Sequence, residues 1–162
     1  MENQDFNVTF LVAKSAGEAY KAIVDPRAWW SEEIEGTTDE INAEWSYHYK
    51  DLHRCKMKVV ELIPDKRVAW LVTENYFNFV QDQNEWIGTR VILDISEEGN
   101  QTRVRFTHVG LIPKYECYEI CSNAWSGYVN NSLRQLIETG TGMPNRGQEI
   151  TSHEQIGTES NQ

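Results

Sequence analysis

The stretch at residues 115–139 limits most strongly what this chain can become. Its apolar residues return at helical intervals. Val129, Leu133, Leu136 and Ile137 fall at i, i+4, i+7 and i+8, one face of a 3.6-residue period. Cys117, Cys121, Ala124, Trp125 and Tyr128 continue the stripe upstream. Pro113 sits just ahead, and Glu116 and Glu119 fall in the first turn, where carboxylates suit the positive helix end. Gly140, Gly142 and Pro144 follow at once and mark the stop. The stripe is odd for a plain core helix, because it mixes Trp, Tyr, two Cys and small residues. Gly127 adds a cost of about 1 kcal/mol against Ala in a helix interior. These features predict a long C-terminal helix that lies across a curved sheet and walls a cavity.

The rest of the chain supplies that sheet. Phe6, Val8, Phe10 and Val12 alternate with Asn7, Thr9 and Leu11, the pattern of a half-buried strand. Ser15 and Glu18 form an S-x-x-E capping box, in which hydroxyl and carboxylate satisfy free N–H groups at a helix start. Ala19, Tyr20, Ile23 and Val24 give that helix its buried side. Asp25-Pro26 ends it and opens a second short helical piece carrying Trp29 and Trp30, with Asp as cap and Pro at the first position. Period-2 alternation then marks Trp45/Tyr47/Tyr49, Cys55/Met57/Val59, Val68/Trp70/Val72, Ile87 to Ile95 and Val104/Phe106/His108. Pro64-Asp65 reads as a type I turn. Residues 75–84, with Tyr76, Phe77 and Phe79, read as a polar loop. Short strands joined by tight turns form an antiparallel meander. A sheet of this size hides one face only by curling around something, and the C-terminal helix is the one element long enough. The fold class is therefore α+β, in one domain over residues 1–140. Residues 141–162 are polar and aperiodic, and are expected to form a disordered tail.

Composition narrows the partners. The 162 residues carry a net charge of −10, which opposes nucleic acid, whose phosphates demand a basic face, and docking on anionic membrane. No run of about 18 apolar residues exists, so no membrane insertion is expected. The N-terminal MENQDFNVTF lacks the basic and apolar regions of a signal peptide. Three cysteines are an odd count, and Cys117 and Cys121, one turn apart on a helix, suit a disulfide poorly. Free thiols in a reducing cytoplasm are the expectation.

Several segments together resemble the START-like, or SRPBCC, superfamily, in its branch named after the activator of the heat-shock-protein-ninety ATPase. They are Asp25 to Trp30 (DPRAWW), Val60 to Trp70 (VELIPDKRVAW), Glu85 to Thr89 (EWIGT), Thr107 to Leu111 (THVGL) and Trp125 to Gly140. The resemblance implies the helix-grip fold, often with a hydrophobic cavity and a broad habit of binding small apolar molecules. The superfamily holds lipid carriers, hormone and polyketide binders, some cyclases and hydrolases, and a co-chaperone module.

Candidate site residues follow from the shared inner face. Trp45, Tyr47, Tyr49, Trp70 and Phe106, with Trp125 and Tyr128 on the helix, are either ordinary core or rings that stack on a planar or lipid-like guest. Cys55, Met57, Cys117 and Cys121 are soft, cavity-facing groups. His108 shares its strand face with Val104 and Phe106 and is either a satisfied core imidazole or a polar anchor or proton donor; His53 carries the same two readings. The phase of Trp86 depends on whether Gly88 marks a bulge. Three thiols and an imidazole are ligand types zinc accepts, but their scatter matches no zinc-knuckle spacing, and no cofactor or metal is expected. Carboxylates are not paired for acid/base work, and no phosphate loop, G-x-S-x-G or H-E-x-x-H occurs. The favoured expectation is a binding protein for a small, largely apolar or lipid-like molecule held between sheet and helix. The alternatives are a protein-interaction module with a chaperone as partner, and a hydrolase or cyclase using the same pocket through His108 or a cysteine.

Overall fold

A computed structural model of the chain describes residues 5–49, 53–78 and 86–144. Seven strands form one antiparallel sheet in the order β1-β7-β6-β5-β4-β3-β2. They are β1 (Phe6–Val12), β2 (Glu35–Gly36), β3 (Glu44–Tyr49), β4 (His53–Ile63), β5 (Arg67–Phe77), β6 (Arg90–Glu98) and β7 (Gln101–Val109). Between β1 and β2 lie α1 (Ala16–Ile23) and a 3₁₀ turn (Pro26–Ala28). The chain closes with α2 (Tyr118–Ser126), a π-helical segment (Gly127–Leu133) and α3 (Arg134–Thr139), which run on as one helix. This is the helix-grip α+β fold expected from the meander and its single long helix.

Local chemistry explains the elements. The capping box forms as read: Ser15 Oγ accepts from the Glu18 N–H at 3.1 Å, and Glu18 accepts from the Ser15 N–H at 3.0 Å. Those bonds also hold the Glu18 carboxyl below its usual range. Alternation shows on the long strands, broken on β5 where Ala69 is buried between Val68 and Trp70. Trp45, Tyr47 and Tyr49 are buried beside exposed or half-buried Glu44, Ser46 and His48, and Val104, Phe106 and His108 beside Arg103, Arg105 and Thr107. The inner residues meet in register, with Trp45 opposite Met57, Tyr47 opposite Cys55 and Val59 opposite Trp70.

The long helix differs from its sequence reading in two ways. It starts at Tyr118, not 115; residues 113–117 are turns, and Cys117 is the cap residue without a side-chain cap bond. Its middle is π-helical. The buried residues explain why: Cys121, Trp125, Val129, Leu133 and Ile137 recur every four residues. In a straight α-helix such a stripe drifts by about 40° per step. The wider π turns rotate less per residue and return the stripe to the sheet. Gly127, read as a cost, opens that segment. Gly140 ends the helix in the left-handed conformation, φ +88°, as its position implied.

Three further expectations change. Asp65 has φ +66° while Lys66 N–H bonds Ile63 C=O, so the β4–β5 turn is of the type II kind, with Asp65 where glycine usually sits. The region read as a loop from Asn75 is still strand through Phe77, where Tyr76 pairs Arg54 and Phe77 pairs His53; Phe79 lies outside the described residues. The strand read from Ile87 begins at Arg90. Of the expected tail, residues 141–144 lie against the molecule, with the Met143 N–H donating to Ser132 Oγ at 2.7 Å. Residues 145–162 lie outside the described residues.

Candidate functional site

The space between sheet and helix is occupied by rings. All six tryptophans join one contact network. Trp29 and Trp30, delivered by the Pro26 turn, reach over the sheet: Trp29 stacks on Trp70 at 6.3 Å, and Trp30 on Tyr47 at 4.3 Å. Trp30 also meets Trp45 edge-on at 5.8 Å and Trp125 of the helix at 4.8 Å. Trp125 in turn stacks on Trp86 at 5.9 Å, with only 9° between ring planes, and touches Phe106 at 4.6 Å. Each ring can bury 150–250 Å², so a few of them close a space that aliphatic side chains would leave open.

Among the described residues, sheet and helix together line a cavity of about 20 Å³, room for one water molecule, where pockets for organic ligands run to several hundred Å³. Its walls are Trp30, Tyr47, His53, Phe77 and Trp86 from the sheet side, and Cys121, Ala124, Trp125 and Tyr128 from the helix. Of the twelve residues expected to bind a ligand, Tyr47, Cys121, Trp125 and Tyr128 are brought together here. Trp45, Tyr49, Cys55, Met57, Trp70, Phe106, His108 and Cys117 are buried but do not line the cavity.

His108 resolves into the core reading. Its side chain is fully buried, and both ring nitrogens are engaged. The Trp125 indole N–H donates to Nδ1 at 3.1 Å. An indole can only donate, so Nδ1 is the bare nitrogen and Nε2 carries the proton. Nε2–H therefore donates to Thr89 Oγ1 at 2.8 Å, and the Thr89 hydroxyl donates to the Trp86 carbonyl oxygen at 2.5 Å. Burial drops the His108 pKa to about 3, which keeps the ring neutral at pH 7. The chain Trp125–His108–Thr89–Trp86 ties the helix to the last long strand and to the turn before β6. That turn swings Trp86 inward through Gly88, φ +87°, which answers the open phase of Trp86. Gly110 lets Thr89 approach, since a Cβ there would sit 2.6 Å from Thr89 Cγ2.

His53 lies opposite Phe77 and shares a hydrogen bond with Asn75 Oδ1 at 2.9 Å. Among the described residues, Asn75 Nδ2 and the indole nitrogens of Trp45, Trp70 and Trp86 are buried donors without an acceptor. The three cysteines are free and buried, and burial raises the Cys55 pKa far above its ordinary range, which suppresses the thiolate a nucleophile needs. Among the described residues no group of three or more His, Cys, Asp or Glu is placed to hold a metal ion, and no helix is long and apolar enough to cross a membrane.

Sequence reasoning put Trp29 and Trp30 on a helical piece but not in the site, and it missed Thr89. Only the adjacent Trp pair behind a proline hinted at their role, because periodicity says nothing about where a short turn lands.

The family profile described as "Activator of Hsp90 ATPase homolog 1-like protein" matches residues 14–138. The chain belongs to that family. Among solved structures, the Aha1 dimer from Colwellia psychrerythraea is similar at 25% identity and a TM-score of 0.69, over 85% of this chain and 98% of that one. Protein SSP2350 from Staphylococcus saprophyticus shares the fold at 14% identity and a TM-score of 0.64, over 88% and 98% of the two chains. DynU16, from the dynemicin biosynthetic locus, does so at 16% identity and a TM-score of 0.61, over 87% of this chain and 49% of that one. No curated protein matches in sequence. These solved structures share the sheet and helix grip with this chain, which fills the grip with tryptophan.

Proposed function

We propose that the chain is a protein-interaction module acting through its surface, with an Hsp90-class ATPase as the partner its family membership suggests. One observation carries the reading: the grip that could hold a small molecule is closed by aromatic side chains, leaving about 20 Å³. Selection for an internal guest would favour removing a ring, whereas a module that works from outside gains from a stiff interior. The test is a pull-down and an ATPase assay with the middle domain and the full length of an Hsp90-class chaperone. Saturable binding that survives Ala124→Val, which fills the cavity, supports the proposal. Absence of binding, or its loss on filling the cavity, overturns it.

A second reading is favoured by the orphaned Trp86 indole N–H and the nearly apolar cavity wall. Here a small, largely apolar molecule with one acceptor atom displaces a ring and takes the hydrogen bond that Trp86 lacks, with Tyr47, Cys121, Trp125 and Tyr128 against it. A panel of fatty acids and planar aromatics, read by NMR, would shift the indole signals of Trp30, Trp86 and Trp125 if it holds. The hydrolase or cyclase alternative gains no support from His108, whose protons and lone pair are committed.

A further inference from the structure

The outer face of the sheet carries a surface that the filled interior does not explain. The chain is strongly acidic overall, yet seven of its 15 Lys and Arg lie on the outward positions of β4 to β7, against five of its 25 carboxylates on those strands, with Glu44 of β3 opposite Lys58 beside them. Three of the cations are answered: Arg67 by Asp94 at 2.7 Å, Arg103 by Glu98 at 2.8 Å, and Lys56 by Glu74 at 3.7 Å. Lys58, Arg90 and Arg105 have no carboxylate within 4.0 Å among the described residues. Register fixes where they stand. Lys58 lies opposite Leu71, and Leu71 opposite Arg90, so the two cations flank Leu71 about 10 Å apart. Arg105 pairs with Asp94, four residues along β6 from Arg90, about 14 Å away.

Between these charges the face is mostly aliphatic, with Thr107 opposite Ile92. Ile92 and Leu71 are half-buried, and Val109, opposite Arg90, is 37% exposed. The stems of the flanking Arg and Lys cover such side chains while the heads stay in water. Beside this patch a shallow groove of about 340 Å³ runs over β3 to β5, where Arg54 lies over the Tyr76 ring at 4.2 Å. Unanswered cations around an apolar centre complement a partner that is acidic and apolar together.

We infer that the outer face of β4 to β7 is a docking surface for an acidic, apolar-containing segment of a partner protein, with Leu71, Ile92 and Val109 as its floor and Lys58, Arg90 and Arg105 as its charge-reading rim. This rests on the interaction-module reading above and names the surface and the chemistry it takes. A protein segment fits better than an anionic lipid surface, because the chain's net charge of −10 repels a membrane at long range. It also fits better than nucleic acid, which asks for more than three free cations.

The probe is a fluorescein-labelled peptide of alternating Glu/Asp and Leu/Phe, titrated into the full chain and mapped by amide NMR shifts. Shifts confined to β4 to β7 are expected, with binding that weakens about tenfold or more in the double variant Lys58→Glu/Arg90→Glu. Arg105→Gln, a milder change, should weaken it in the same direction, and Lys21→Glu on α1 should leave it unchanged. Circular dichroism confirms that each variant is folded. Shifts on the helix side, or binding indifferent to both rim variants, would overturn the assignment. So would rim-dependent binding to phosphatidylserine vesicles without peptide binding, or a self-association that the double variant abolishes. The chaperone assay separates the two levels. A chaperone that binds the double variant as well as the unaltered chain leaves the interaction module standing and removes this face from it. A peptide that binds the rim while no chaperone binds leaves the face standing and removes the chaperone.

Discussion

The two faces of one sheet are built from the same strands and solve opposite problems. The inner face is neutral and nearly dry: every long strand presents Trp, Tyr, Phe, Val or Leu, and the His108 imidazole is held uncharged between an indole and a hydroxyl. The outer face is charged and wet, with aliphatic side chains shielded by the stems of their cationic neighbours. Period-2 geometry forces this separation, since each residue chooses one face. The contrast gives stability to the inner side and leaves the outer side to the docking proposed above.

The largest test of that division is Trp30→Ala. Trp30 touches Trp29, Trp45, Tyr47, Trp125 and Tyr128, so its removal leaves a hole between sheet and helix that no single neighbour can fill. A loss of about 3–5 kcal/mol in urea unfolding is expected. An apolar cavity of that kind binds small aromatics, so indole should raise the variant's melting temperature while leaving the unaltered chain unmoved. Indole stabilising both equally would mean that the grip already has room, and the contrast between a closed inside and a working outside would break.

His108→Gln comes next. It leaves the Trp125 indole and Thr89 with a poorer partner, and an unsatisfied buried group costs about 1–3 kcal/mol. The pH dependence separates this from simple loss of packing. In the native chain His108 titrates at about 3, while the unfolded chain takes up that proton near pH 6.5. Between those values the unfolded state binds more protons, so stability present above pH 6.5 falls as pH falls, by up to about 1.4 kcal/mol per unit. The variant lacks that slope. Urea curves at pH 7 and pH 4.5 should show the gap between the two proteins narrowing in acid. A gap that stays constant would mean that the ring is not held neutral.

How much of this could be read beforehand differs by element. The helix-grip architecture was legible because it rests on periodicity and caps: the Ser15–Glu18 box and the Gly140 stop formed where local chemistry put them, and the alternating strands formed with their ends shifted by a few residues. The shared inner face of Trp45, Tyr47, Cys55, Met57, Phe106 and His108 was legible for the same reason. The interior volume was not. It depends on Trp29 and Trp30, which a three-residue turn throws across the sheet, and on Trp86, which Gly88 folds inward; no period governs either. The π segment was hidden too, since a four-residue stripe and an interior glycine are visible in the sequence but the helix that reconciles them is settled only by contact with the sheet.

The smallest effect probes the outer face from the side of stability. Arg67 is the best-connected cation there, with Asp94 at 2.7 Å and Glu61 at 3.4 Å, and the Asp94 bond raises its pKa. The three side chains are each about 40% exposed, so water screens the pairs and long side chains lose rotamer freedom in making them. Arg67→Gln is therefore expected to cost below about 1 kcal/mol, and less again in 0.5 M salt, where the screening length falls to about 4 Å. That result, beside the far larger loss in Trp30→Ala, would keep the outer charges free for a partner rather than for the fold. A loss above about 2 kcal/mol that persists in salt would make the outer pairs structural. The rim at Lys58, Arg90 and Arg105 would then have to be read as part of the same scaffold, because Arg67 and Arg105 share Asp94 as their neighbour across β6.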